Sequence, residues 1–93
     1  MRELVDSRIA ELRKLPFSKL SELEAYSATR FKHAGRSVIL ATWKDGGENR
    51  IRIVVQAYRH LFLGVGRMFV GGFSMEKDGQ VEELTSRDLY EFT

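Results

Sequence analysis

A stripe of apolar residues at helical spacing marks the beginning of the chain. Its members are Leu4, Val5, Ile9, Leu12 and Leu15. This spacing predicts an amphipathic helix over residues 3–15 that packs one face against a core. Pro16, the only proline, disfavours helical geometry at the residue before it, so we expect the helix to end there.

Residues 17–33 fit two interpretations. The apolar spacing from Leu20 to Phe31 partly fits a second helix. A strand over 25–32 is the other interpretation, in which Ala25, Ser27, Thr29 and Phe31 alternate with Tyr26, Ala28, Arg30 and Lys32. We favour a helical turn over residues 18–22 followed by this strand.

The clearest element is a β-hairpin. Ser37–Lys44 and Arg50–Tyr58 are rich in β-branched and aromatic residues, and the glycine-containing segment 45–49 separates them. If those five residues form the loop, Lys44 lies opposite Arg50 and Trp43 lies opposite Ile51. This register predicts that six apolar side chains share the face against the helix: Ile39, Ala41, Trp43, Ile51, Ile53 and Val55.

The other face of this hairpin is predicted to have two parts. Near the loop, Lys44, Arg50 and Arg52 would form a basic cluster that could bind an anion or nucleic acid. Farther from the loop, an apolar strip would consist of Val38, Leu40 and Val54. Because soluble monomers seldom leave such a strip uncovered, we expect a second subunit or another segment of the chain to cover it.

The remaining sequence continues the meander. A third strand is expected over residues 64–75, where glycines would let the sheet curl around the helix. A turn at 77–79 leads to a short strand over 81–84, and Thr85 begins a terminal helical turn that ends near Phe92. The predicted fold class is α+β. It comprises an N-terminal helix packed on a curved antiparallel meander sheet of about four or five strands, with a short C-terminal helical turn, in a single domain over residues 1–93.

Composition narrows the chemistry further. The chain contains no cysteine, which excludes disulfides, zinc–thiolate sites and thiol nucleophiles. Met1 is followed by charged residues and not by an apolar run, so we predict no signal peptide and expect a cytoplasmic protein without a membrane span. The formal net charge is only +2. Basic residues nevertheless concentrate in segment 30–67 and acidic residues in 68–93, which can indicate an anion-binding face or complementary patches in self-association.

The sequence offers little support for catalysis or for a cofactor. Gly64 and Gly66 resemble the start of a dinucleotide fingerprint, but Phe69 occupies the position of the third glycine and no βαβ unit surrounds it. The two histidines, His33 and His60, fall in different predicted turns without an acidic partner at ligand spacing. No serine lies in a nucleophile-elbow motif. We therefore predict no catalytic residue, no metal and no cofactor.

Three functions remain compatible with this sequence. The leading hypothesis is a small non-catalytic protein-interaction module that forms a homodimer through Val38, Leu40 and Val54. The alternative is a nucleic-acid-binding module that uses Lys44, Arg50 and Arg52, although the predicted position of Trp43 in the core removes an aromatic group from that face. A third possibility is a small-ligand-binding or enzymatic domain with a pocket between helix and sheet near Tyr58 and His60.

Overall fold

The computed structural model describes residues 2–33, 35–60 and 66–84 of the 93-residue chain. Within these residues two helices precede five strands. They are α1 (Arg2–Arg13), α2 (Phe17–Ser21), β1 (Tyr26–His33), β2 (Arg36–Gly46), β3 (Arg50–His60), β4 (Gly66–Glu76) and β5 (Val81–Glu83). The strands form one antiparallel sheet in the order β1-β2-β3-β4-β5. The predicted α+β class with an N-terminal helix and an antiparallel meander is confirmed. The predicted terminal turn from Thr85 lies outside the described residues.

The chain between α1 and β2 follows the favoured interpretation. A short helix, α2, begins directly after Pro16, whose extended backbone at φ −69° and ψ 161° suits the residue before a helix. The strand predicted over 25–32 is β1. In the described part of the chain, neither helix combines the length and apolarity that a membrane span requires.

The hydrophobic core lies between the helices and one side of the sheet, which we call the helix side. The helices contribute Val5, Leu12 and Leu20 to this core, and all three side chains are buried. The sheet contributes Ile51, Ile53, Val55, Ala57, Phe73 and Met75. Alternate residues of a strand point to opposite faces, so Val54, Gln56 and Tyr58 belong to the other side of β3, which we call the far side.

The predicted register of the β2–β3 hairpin is wrong by three residues. Trp43 pairs with Val54 and Lys44 pairs with Ile53, whereas the sequence pattern predicted Ile51 and Arg50 as their partners. Three is an odd number, so the shift exchanges the faces of β2 relative to β3. Trp43 therefore lies on the far side, away from the core, and Lys44 lies on the helix side.

The cause of this shift is a tight turn. The chain reverses at Glu48 and Asn49, where the N–H of Gly47 donates to the carbonyl of Arg50 at 2.9 Å. A two-residue turn of this kind leaves β2 longer than the predicted five-residue loop would allow. At Gly46, a Cβ atom would lie 2.3 Å from the Arg50 carbonyl oxygen and φ is +134°, so this close approach requires glycine.

The same shift separates the residues of the predicted dimer strip. Leu40 pairs with Ala57 and packs against the core on the helix side, whereas Val54 points to the far side. Val38 and Val54 are both fully buried within the chain. The prediction that Val38, Leu40 and Val54 form one exposed strip is therefore incorrect.

Two adjacent glycines in β4 allow close packing on opposite sides of the sheet. A Cβ atom on Gly71 would approach Ile9 Cδ1 to 2.8 Å, so α1 lies directly against this strand. A Cβ atom on Gly72 would lie 2.4 Å from the carbonyl oxygen of Ile53 in the neighbouring strand. The absence of side chains at these positions brings the helix and the β3 backbone close to β4.

We expect Phe73→Ala to destabilise the protein more than Trp43→Ala. Phe73 is fully buried in the core, so its removal leaves a cavity and should cost about 3–5 kcal/mol of unfolding free energy. Trp43 is only partly buried on the far side, so truncation there loses fewer contacts. Urea unfolding of both variants measures the difference. Equal losses would contradict the face assignment.

A second prediction compares the two glycines. Gly72→Ala should lower the unfolding free energy by about 1–3 kcal/mol, because the new methyl group meets a backbone oxygen that the ladder holds in place. Gly71→Ala is the matched control, since its methyl group meets the end of the Ile9 side chain, which can change rotamer. Thermal unfolding should rank Gly72→Ala as the less stable variant, and the reverse order would refute this packing.

Candidate nucleic-acid interface

An aromatic pair lies on the far side of the sheet where β1 meets β2. Tyr26 and Trp43 are register partners, and their ring centroids are 4.3 Å apart with an interplanar angle of 47°. Tyr26 is 46% exposed, which is unusual for a large aromatic side chain. The pair therefore offers an aromatic surface outside the core.

The indole of Trp43 is held in one orientation. Its Nε1–H donates to Oε1 of Gln56 at 3.2 Å. Gln56 is itself buried in the middle of the far side, on the strand next to β2. A buried amide acceptor satisfies the single polar group of the indole, so the rest of the ring can contact a ligand.

Cationic side chains follow the aromatic pair along β1. Arg30 and Lys32 are both exposed and lie on the same face of the strand as Tyr26, because they are four and six residues away. Arg36 is also exposed at the start of β2, but the register places it on the helix side, away from the aromatic pair. Among the described residues, none of these three cations takes part in an ion pair or a side-chain hydrogen bond.

The hairpin formed by β1 and β2 also has no carboxylates over twenty consecutive residues. Between Glu24 and Asp45 the sequence contains Arg30, Lys32, Arg36 and Lys44 but neither aspartate nor glutamate. Asp45 itself forms an ion pair with Arg52. Arg36 and Lys44 lie on the helix side, so over residues 25–44 the far side carries two cations, Arg30 and Lys32, and no carboxylate, although the whole chain carries only +2.

The basic cluster predicted from the sequence does not form. Lys44 lies on the helix side, where its Nζ donates to the carbonyl of Ser21 at 2.9 Å. Arg50 and Arg52 share the far side, but Arg50 donates to Ser74 Oγ at 3.1 Å and lies 4.0 Å from a carboxylate oxygen of Glu76. Arg52 is paired with Asp45. These three cations thus already interact with groups of the same chain.

A small pocket adjoins Arg30 on the far side. Its volume is about 240 Å³, and Arg30, Ser37, Ile39 and Tyr58 line it. Arg30, Ile39 and Tyr58 occupy one row across β1, β2 and β3. The sequence suggested a different pocket, between helix and sheet near Tyr58 and His60, but Tyr58 lies on the side of the sheet away from the helices. The position of the His60 side chain is outside the described structure.

Other parts of the described structure give less specific chemistry. A cavity of about 480 Å³ lies between α1 and strands β4 and β5. Arg2 and Arg13 line it together with Asp6 and Glu83, so its charges offset one another. Over residues 2–33, 35–60 and 66–84 no group of three metal-ligating side chains comes together.

The sequence pattern did not indicate this site, because the predicted register placed Trp43 in the core. Tyr26 and Trp43 are seventeen residues apart, and only the pairing of β1 with β2 brings them together. One signal was present in the sequence, namely the absence of carboxylates between residues 24 and 45. A charge count over segments of that length identifies the β1–β2 hairpin as positive, but it does not identify which face carries the site.

No protein-family profile, no curated protein and no solved structure matches the chain. The function is therefore inferred from the geometry of this site.

Proposed function

We propose that this protein binds single-stranded nucleic acid, without catalysis, on the far side of β1 and β2. The observation behind this proposal is the Tyr26–Trp43 pair, in which Tyr26 is exposed, on the same face as Arg30 and Lys32, which have no carboxylate partner among the described residues. Aromatic rings supply stacking surfaces for bases, and cations supply phosphate contacts. Sheet-based RNA-binding proteins combine these two features on one face.

The exposed aromatic ring of Tyr26 favours single strands over duplexes as ligands. A stacked and paired base has no free ring face, whereas a base in a single strand can stack on an exposed aromatic side chain. Tyr26 offers such a surface, and the hydrogen bond from Trp43 to Gln56 fixes the ring behind it. Little ordering entropy is then lost when a base stacks.

The cations follow the aromatic pair in a direction that suits an extended strand. Tyr26 and Arg30 are four residues apart on one strand face, which separates their Cα atoms by about 13 Å. Lys32 continues the same line. A nucleic-acid backbone that follows β1 would therefore keep its phosphates beside these cations while one base contacts Tyr26.

Self-association through Val38, Leu40 and Val54 has less support. Val38 and Val54 have no exposed surface to offer a partner, and Leu40 packs against the core. Nucleic-acid binding through Lys44, Arg50 and Arg52 likewise has less support, because each of these side chains is engaged within the chain.

The first test uses Trp43, the only tryptophan of the chain, as an intrinsic probe. Titration with single-stranded oligonucleotides should change its fluorescence, because a base that stacks on Tyr26 alters the surroundings of the indole. Tyr26→Ala should weaken binding by about 1–3 kcal/mol through the lost stacking contact. Tyr26→Phe is the matched control and should retain most of the affinity, since it keeps the ring.

The second test addresses the phosphate contacts. Log affinity falls as log salt rises, and each single-strand phosphate contact contributes about 0.7 to the steepness of this fall. Arg30→Gln combined with Lys32→Gln should therefore make the slope less steep by about 1.4. Arg50→Gln should leave the slope unchanged, since Arg50 is bonded to Ser74. Fluorescence anisotropy of a labelled oligonucleotide at several salt concentrations gives both values.

Two outcomes would refute the proposal. One is the absence of binding to any pool of oligonucleotides at low salt. The other is equal affinity for poly-glutamate and for oligonucleotides, together with an unaltered affinity of Tyr26→Ala, because attraction would then depend on charge alone and the partner would be an acidic polypeptide.

A further inference from the structure

Among the described residues, no strand pairs with the outer edge of β1. β1 pairs only with β2 in the described sheet, and its described side chains, Tyr26–Arg30 and Lys32, are all exposed. The register with β2 is continuous, so no bulge interrupts the edge, and the strand contains no proline. Native proteins usually shorten, bend or cover such edges because they can pair with another strand.

The hydrogen-bonding pattern identifies the backbone groups that face outward. The N–H of Lys44 donates to the carbonyl of Ala25 at 2.8 Å, so Ala25 and Lys44 form a hydrogen-bonded pair. Such pairs alternate along an antiparallel ladder. Ser27 and Thr29 therefore bond to β2, whereas the backbone groups of Tyr26, Ala28, Arg30 and Lys32 point away from the sheet.

We propose that a second copy of this chain pairs with this edge, β1 to β1 in antiparallel orientation, with the two-fold axis at Ala28. This proposal goes beyond nucleic-acid binding and does not rest on it. The outward backbone groups of Ala28 would then bond to Ala28 of the partner subunit. The two five-stranded sheets would form one continuous sheet of ten strands. Edge pairing of this kind supplies main-chain hydrogen bonds, and a two-fold axis makes the interface self-complementary.

Charge complementarity and the length of strand that is paired together select this register over its neighbours. With the axis at Ala28, Lys32 lies opposite the partner's Glu24, and Arg30 lies opposite the partner's Tyr26. An axis at Arg30 would instead bring the two Arg30 side chains directly together, which is unfavourable. An axis at Thr29 would leave Glu24 without a cation opposite it. An axis at Ser27 would also place Glu24 opposite a cation, Arg30, but only residues 26–28 of the two β1 strands would then pair, compared with residues 26–30 about Ala28.

Both sides of the interface are complementary in this register. On the far side, each Tyr26 ring lies beside the partner's Arg30, an arrangement that allows cation–π contact. On the helix side, Ser27 lies opposite the partner's Thr29, and hydroxyl pairs of this kind stabilise neighbouring strands. The other edge of the sheet, β5, offers only three residues, two of which are Glu82 and Glu83, so it is a poor surface for the same purpose.

The dimer would join the two candidate nucleic-acid interfaces. A two-fold axis perpendicular to the sheet keeps the far sides of both subunits on one side of the molecule. Each aromatic pair would then lie beside the partner's Arg30, so the partner subunit contributes a residue to each site. Lys32 would face the partner's Glu24, so Arg30 would be the main phosphate-binding cation of the dimer. A longer single strand could follow β1 of both subunits.

A charge exchange tests the register. Sedimentation velocity of the full chain over a range of concentrations should show a monomer–dimer equilibrium. Glu24→Lys alone and Lys32→Glu alone should each raise the dissociation constant about tenfold, because each brings two pairs of like charges together. The double variant should return to the wild-type value. Glu82→Lys, an exposed change on the other edge strand, is the matched control and should have no effect.

A backbone substitution tests the edge itself. Ala28→Pro removes an outward N–H but no bond to β2, so circular dichroism should show a folded protein while the dimer is lost. A wild type that stays monomeric at every concentration would overturn the proposal. So would a dimer that persists in Ala28→Pro, or a double charge-exchange variant whose dissociation constant does not return to the wild-type value. Oligonucleotide titration of the Ala28→Pro monomer measures nucleic-acid binding separately, so that failure of one proposal does not hide failure of the other.

Discussion

The organisation of this protein depends on the turn at Glu48 and Asn49. The hydrogen bond from Gly47 to Arg50 fixes the register of β2 against β3. This register decides which residues of β2 face the helices and which face away. Because β1 pairs with β2, the same turn also determines which β1 side chains lie on the helix side and which lie on the far side.

The two sides of the sheet consequently differ in character. The helix side is an apolar core in which Ile53 and Phe73 are fully buried beneath α1 and α2. The far side of β1 and β2 combines an aromatic pair with cations that the rest of the described chain does not neutralise.

The sequence predicted the elements much better than their pairing. The stripe that contains Val5 and Leu12 fits only a helix, and the β-branched segments around Ile39 and Ile53 fit only strands, so both were identified. The register was not, because β2 has apolar residues on both faces: Val38 and Leu40 alternate with Ile39 and Ala41. Hydrophobic pattern then favours neither face, and turn geometry decides.

The candidate site could be predicted only in part for the same reason. Positive charge in the segment that contains Arg30 and Lys32 is visible without a structure. The aromatic pair is not, since an aromatic residue in a strand can equally belong to a core. Because the predicted register was wrong, Trp43 was assigned to the core. The basic cluster was assigned to Lys44, Arg50 and Arg52, which interact with groups of the same chain.

The position of α1 has a consequence for synthesis on the ribosome. This helix leaves the ribosome before the strands on which it packs, β3 and β4, and Arg2 donates to the carbonyl of Val70 at 2.7 Å across 68 residues. At typical elongation rates of about 5–20 residues per second, the helix waits roughly 3 to 14 s for that strand. The hairpins of the meander need only neighbouring segments, so they can pair during this interval. The apolar stripe of α1 is therefore the surface that a chaperone would meet on the nascent chain.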